Sequence, residues 1–319
     1  MISWKKIHPE ILAAIEGLKE HGFTEPTVRS VYYVLGSQNV IPLTDYGYQK
    51  LVGETVAMRK SGEIAWGFFA VKRGTSDEVG VSVGLPHDLR ATVPFVGAKS
   101  WSDFWLGSLR AAPEAFELPR WYRQPNLVEV WVEKDGLLGA TSTWLEDLGV
   151  TVRSPQGYGA WEFSYASLRK MKEELEEQHK TSIQILYLGD LDPSGKDIPR
   201  ALEEGAFSYF GEKLGITVEF RELGLSPAQV EKFNLPPMPK KKEVLGKLHR
   251  DSRYAWFVER YGSEMFVELD AFYALATDEA KALIRGEVEA LFDEKVYERT
   301  RQEQTKLRRE IRERIEGGR

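Results

Sequence analysis

Two apolar runs that each end in carboxylates constrain the fold of this chain more than any other feature. Residues 127–136 read LVEVWVEKDG, and residues 185–198 read ILYLGDLDPSGKDI. In the first run Val128, Val130 and Val132 alternate with Glu129, Trp131 and Glu133, which is the two-residue period of a strand, and Gly136 opens a turn. In the second, Asp190 and Asp192 follow the apolar strand two residues apart, so both project to one side while Leu191 turns back to the core. Pro193, Ser194 and Gly195 supply a tight turn, and KDIPRALEEGAFSYF reads as a helix leaving the strand end. Between the two runs lie a helical stretch near 137–148, a short strand TVRS, a loop PQGYGA and an amphipathic helix near 164–179. The order β-α-β-α-β predicts a parallel sheet of the α/β class. Open sheets of that kind hold their ligands at the carboxyl ends of the strands, where these acids fall.

Carboxylates gathered at such a place suit a hard cation. Mg²⁺ takes carboxylate oxygens and keeps several waters, which phosphate oxygens can replace. Glu133, Asp190 and Asp192 are the candidate ligands. The plain alternative for an isolated Asp-x-Asp is a solvated turn whose second aspartate caps a helix.

The N-terminal part reads differently. PEILAAIEGLKEHG has the periodicity of an amphipathic helix, Thr24 is placed to cap a second helix starting near Pro26, and PLTDYGYQKLVGETVAMRKSGEI contains a third. A strand follows in IAWGFFAV, and three short helices with such a strand predict a winged helix, an α+β unit. The second helix carries Arg29-Ser30-Val31-Tyr32-Tyr33, with Arg29 and Tyr33 one turn apart on the same face. A tyrosine pair in a helix serves core packing in most settings. Its phenol can also attack a phosphodiester and later leave, and with a free pKa near 10 it needs a base or cation to do so.

Together these motifs carry a family resemblance. Glu133 at a strand end, a glycine–tyrosine loop at Gly157 and Tyr158, and Asp190 and Asp192 followed by Pro-Ser-Gly resemble a TOPRIM domain, which uses that Glu and the two Asp residues to hold Mg²⁺. The VEK strand, the DPSG turn and the Arg-x-x-Tyr-Tyr helix narrow the resemblance. They are similar to the A subunit of DNA topoisomerase VI and its meiotic relative that makes double-strand breaks, and most of all to the small stand-alone topo mini-A proteins. AMRKSGEIAW, FNLPP and VELDAF fit the same group.

The resemblance implies a winged-helix domain over 1–95, a TOPRIM domain with its connecting segment over 96–270, and a C-terminal helical segment over 271–319. It implies that Tyr33 cuts double-stranded DNA by transesterification, leaving a 5′-phosphotyrosyl link, that Arg29 holds the phosphate, and that Mg²⁺ sits on Glu133, Asp190 and Asp192. Tyr32 stays open as the nucleophile. A homodimer is implied too, with the tyrosine of one subunit working at the metal site of the other. The chain contains no ATPase region, so strand passage would require an ATPase B-like subunit in trans. Two other readings remain: a metal-dependent nuclease that hydrolyses DNA with Tyr33 structural, and an inactive DNA-binding accessory or replication protein.

Composition bounds these readings. Cysteine is absent, which excludes disulfides and thiol chemistry, and the five histidines show no zinc spacing. No P-loop or GxSxG elbow occurs. No stretch approaches the roughly 18–20 apolar residues of a membrane helix, and MISWKKIHPE lacks the apolar run of a signal peptide. The expectation is a cytoplasmic protein, associated with nucleoid or plasmid and not with membrane. The net charge of −6 argues against a uniformly basic DNA-binding surface. Its distribution is uneven, however: Lys240, Lys241, Lys242, Lys247, Arg250 and Arg253 form one basic run and Arg299–Arg314 another, each a candidate phosphate track. The run from Asp278 to Arg314 reads as one long charged helix, and Trp101, Trp105, Trp121 and Tyr122 as packing residues.

Overall fold

A short 3-10 helix (Trp4–Ile7) and three α-helices come first in the computed structural model, which describes residues 4–65, 69, 101–155, 161–238, 252–262 and 266–317. Helix α1 (His8–Glu20) buries Ile11, Ala14, Ile15 and Leu18, one stripe at helical spacing. Helix α2 (Val28–Ser37) is capped by Thr27, whose Oγ1 accepts from the Ser30 N–H at 2.9 Å, and not by Thr24 as its sequence suggests. The shift moves the start two residues beyond Pro26. Helix α3 (Asp45–Ser61) is capped by Thr44 and closes at Gly62, whose φ of 83° lies in the left-handed region that glycine enters without cost. The wing strand expected over 64–71 falls largely outside the described residues, as do Gly157, Tyr158, Lys240, Lys241, Lys242, Lys247 and Arg250.

Helix α4 (Trp101–Ala115) leads to the sheet. Strand β1 (Asn126–Val132), helix α5 (Asp135–Leu145), strand β2 (Thr151–Arg153), helix α6 (Trp161–Glu177) and strand β3 (Ser182–Leu188) follow in the order the sequence predicts. Helix α7 (Pro193–Ala201) passes through a π-helical turn at Leu202–Phe207 into α8 (Ser208–Leu214), and strand β4 (Val218–Glu222) completes the sheet. All pairings are parallel, in the order β2-β1-β3-β4. Strands β1 and β3 lie at the centre, paired from Asn126 with Ser182 to Val132 with Leu188, and each is buried after its first residue. Burial on both faces explains their near-continuous apolar character.

The two faces of the sheet belong to two apolar clusters. Val128, Val130, Val132, Leu186 and Leu188 face α5 and a core continuous with α1–α3. Leu127, Trp131, Ile183, Ile185 and Tyr187 face Leu168, Met171 and Leu175 of α6 and Leu202 and Phe207 of the π-helical turn.

Beyond the sheet come α9 (Pro227–Lys232), α10 (Ser252–Tyr261), α11 (Leu269–Leu275), α12 (Thr277–Ala290) and α13 (Glu294–Gly317). The long helix expected from Asp278 to Arg314 is thus two. The break falls at 291–293, where Gln124 donates to the Asp293 carbonyl at 2.9 Å and accepts the Asp293 N–H at 2.8 Å. Phe292 meets Trp121 edge to face at 5.2 Å, a contact that packs the break against the segment preceding β1. Helix α11 packs on α2, which brings the N-terminal helices against the carboxyl end of the sheet. No helix among the described residues is long and apolar enough to cross a membrane.

Candidate functional site

The acids sit where the strand pattern puts them, just past the carboxyl ends of the two central strands. The Glu133 N–H continues the ladder by donating to the Leu188 carbonyl at 2.8 Å, and its Oε2 accepts the Asp190 N–H at 2.9 Å. Strand β3 ends at Leu188, so Asp190 lies in the turn beyond it. Leu191 turns inward as expected, 1% exposed, and pairs antiparallel with Val267. Asp192 caps α7, its Oδ1 accepting the Gly195 N–H at 2.8 Å. The capping reading of that aspartate therefore describes its present bonding.

Glycines at two positions make this turn possible. A Cβ on Gly195 would stand 2.4 Å from the Asp190 carbonyl oxygen and 2.9 Å from Glu133 Oε2. A Cβ on Gly189 would meet the Gly195 carbonyl at 2.9 Å. Only backbone without side chains lets the two acidic loops approach this closely.

Asp190 is 5% exposed, and burial first, then the neighbouring carboxylates Glu133 and Asp192, hold its pKa well above the usual range, against the pull of Lys134. Glu133 is raised for the same first reason, with the Asp190 N–H working against it and Asp192 adding to it. Tyr187, on β3 beneath them, has a buried hydroxyl with no hydrogen-bond partner among the described residues and a pKa raised by burial and then by Glu133 and Asp190. Crowded carboxylate oxygens are the donor chemistry that Mg²⁺ suits. Among the described residues, no three His, Asp or Glu side chains stand as a formed metal centre. Asp190 Oδ1 instead accepts the Leu269 N–H at 2.7 Å, and its Oδ2 meets Lys134 Nζ at 3.1 Å.

Lys134 joins this site to the N-terminal helices. Its ammonium reaches Asp270 Oδ2 at 2.7 Å and Glu268 Oε1 at 3.6 Å as well as Asp190. Burial opposes its charge, and the three carboxylates more than reverse that, so its pKa is raised. From the other side Tyr33 Oη donates to Glu268 Oε2 at 2.7 Å, Arg29 Nε pairs with the same oxygen at 3.2 Å, and Thr27 Oγ1 donates to Asp270 Oδ1 at 3.0 Å. Arg29 also lies over the Tyr48 ring at 3.7 Å. Tyr33 has no exposed surface, and burial, then the Glu268 charge, raise its pKa far above that of a free phenol. Tyr32 donates to the Thr44 carbonyl at 3.2 Å, and burial pushes its pKa up to about 12.

The fold thus draws Arg29 and Tyr33 to the acid cluster through groups that carried no role in the sequence reading: Lys134, Glu268 and Asp270. The signal available for the last two was VELDAF, two acids flanking one leucine; their partner Lys134 is more than a hundred residues away in the chain. Of the first basic run, Arg253 alone is described, 4.0 Å from Asp197. In the second, Arg308 and Arg312 bind the end of α4 through the Phe116 carbonyl and Glu114. No family model, curated protein or solved structure matches the chain.

Proposed function

We propose that this chain cleaves double-stranded DNA by Mg²⁺-dependent tyrosine transesterification, in a winged-helix plus TOPRIM arrangement like that of the topoisomerase VI A subunit. The observation that carries the reading is the convergence on Lys134: the Arg29–Tyr33 helix and the strand-end acids, separate in sequence, meet through Glu268, Lys134 and Asp190. Tyr33 is the nucleophile, and Arg29, on the same helical face, binds the phosphate it attacks. Glu133, Asp190 and Asp192 are the residues that would hold Mg²⁺, which supplies charge stabilisation at the phosphoryl oxygens when bound. In the present state Arg29 is engaged by Glu268 and Tyr33 is closed to solvent, so DNA binding must open the hub around them. The double-stranded substrate, a homodimer and an ATPase partner in trans belong to the same proposal, with one change from what the resemblance implies: Tyr33 meets the acids of its own chain, so each subunit's tyrosine works at its own metal site.

One observation favours a second reading. The complete burial of Tyr33 suits a structural role, with the carboxylates supporting hydrolysis of DNA by an activated water.

Supercoiled plasmid incubated with the protein and Mg²⁺, then quenched with detergent, separates the two. Transesterification gives cut DNA carrying protein at its 5′ ends, lost in Tyr33→Phe and in Asp190→Ala. Cutting that persists in Tyr33→Phe and disappears in Asp190→Ala means hydrolysis, and no cutting by any of the proteins sinks both readings.

A further inference from the structure

We infer that Glu268 is a catalytic residue of the Tyr33 reaction, the base that takes the phenolic proton as Tyr33 attacks phosphorus. The inference rests on the transesterase reading above. Glu268 Oε2 is 2.7 Å from Tyr33 Oη, the distance at which a carboxylate accepts a phenol's proton without rearrangement. No hydrogen bond other than that to Glu268 is observed for the Tyr33 hydroxyl among the described residues.

A base in this position answers a chemical need. Burial, then the Glu268 charge, hold the phenol neutral, so Tyr33 cannot attack as a preformed phenolate and must lose its proton during the attack. The charged and titratable groups facing Tyr33 are Glu268, Arg29 and Asp270, with Tyr32 edge to face at 5.3 Å. Glu268 alone among them touches the phenolic oxygen and can accept a proton. Arg29 and Lys134 flank the same carboxylate at 3.2 and 3.6 Å.

The atoms balance. The Tyr33 proton passes to Glu268 Oε2, the oxygen lone pair forms the bond to phosphorus, and the bond from phosphorus to the 3′ oxygen breaks with its pair on that oxygen. The 3′ oxygen takes a proton from water, and the hydroxide so formed recovers the proton held by Glu268. Reversal runs the same transfers backwards and reseals the strand. Opening the buried site need not separate the pair. Tyr33 and Arg29 on α2 both bind Glu268, and Thr27 binds Asp270, three contacts that tie α2 to the Glu268 segment.

The test measures the rate of protein–DNA adduct formation with Mg²⁺ and plasmid between pH 6.5 and 9.5 for wild type, Glu268→Gln, Glu268→Asp and Tyr33→Phe. Glutamine keeps the size and can still accept the hydrogen bond, but it cannot take the proton. We expect Glu268→Gln to be roughly 10²–10⁴-fold slower than wild type at pH 7.5 and to rise about tenfold per pH unit where wild type is level. Glu268→Asp keeps the wild-type pH profile at a lower rate. A Glu268→Gln protein with the wild-type rate and profile overturns the inference while leaving transesterification standing. Absence of a Tyr33-dependent adduct in the wild type overturns both.

Discussion

Replacing Lys134 by Met tests whether the hub is held by charge. Lys134 is the cation among three buried acids, with Asp190, Glu268 and Asp270 at 5, 7 and 3% exposure. Its contacts of 3.1, 3.6 and 2.7 Å each represent roughly 5–6 kcal/mol of gross attraction at an effective dielectric of about 20. Most of that is offset by desolvation of the ions, and breaking a buried pair costs about 3–5 kcal/mol net. The Lys134 side chain retains 21% exposure, which places the expected loss near the lower end, about 3 kcal/mol. Methionine fills similar length without charge, so the loss reports electrostatics and not a cavity.

The loss must also depend on pH. Without Lys134, Asp190 keeps the burial that already raises its pKa and loses the neighbour that lowers it. An acid whose folded pKa lies above its unfolded value binds its proton more tightly when folded. The deficit is therefore full above that raised pKa and shrinks as pH falls towards the unfolded value near 4. Urea unfolding followed by tryptophan fluorescence at pH 7.5 and pH 5 measures both effects. A deficit below about 1 kcal/mol at pH 7.5, or one that does not shrink at pH 5, refutes a charge-held hub.

Other perturbations probe neighbouring features. Gly195→Ala forces a Cβ to within 2.4 Å of the Asp190 carbonyl oxygen and 2.8 Å of its nitrogen, rigid backbone on both counts, and should cost about 1–3 kcal/mol in urea unfolding together with the DNA cutting. An alanine variant of wild-type stability and activity would show that the two loops are free to part. Lys180 is 5% exposed and donates to the Trp121 and Gln124 carbonyls at 2.7 and 3.2 Å, and burial lowers its pKa from 10.5 to about 8. Between those values the unfolded chain binds the extra proton, so stability should climb with pH from about 8 to 10.5, by on the order of 3 kcal/mol. Lys180→Met should abolish that climb, and an unchanged slope in the variant would assign it to other groups.

The sheet was legible because its signals are local. Alternation in 127–133, the apolar run before Asp190 and the helical stretches between them give a parallel βαβαβ unit without any tertiary knowledge. Strand β4 is hidden in the sequence although Val218 and Phe220 alternate with Glu219 and Arg221, because five residues of mixed polarity look like loop when taken alone. The partners of the site residues were not legible. That Lys134 lies against Asp190, Glu268 and Asp270, and that Tyr33 lies against Glu268, follows from α11 packing on α2, which no local pattern encodes. The helix break at 291–293 is illegible for the same reason: the charge pattern stays helical throughout, and Gln124 and Trp121, far off in sequence, pack against the turn.

The most direct test of the central claim is to find the covalent bond itself. Protein incubated with duplex DNA and Mg²⁺ is denatured, digested with nuclease and protease, and analysed by mass spectrometry for peptides carrying a nucleotide. A nucleotide joined through its 5′ phosphate to Tyr33, absent from Asp190→Ala, is the predicted result. DNA that is cut while every tyrosine stays unmodified would contradict it.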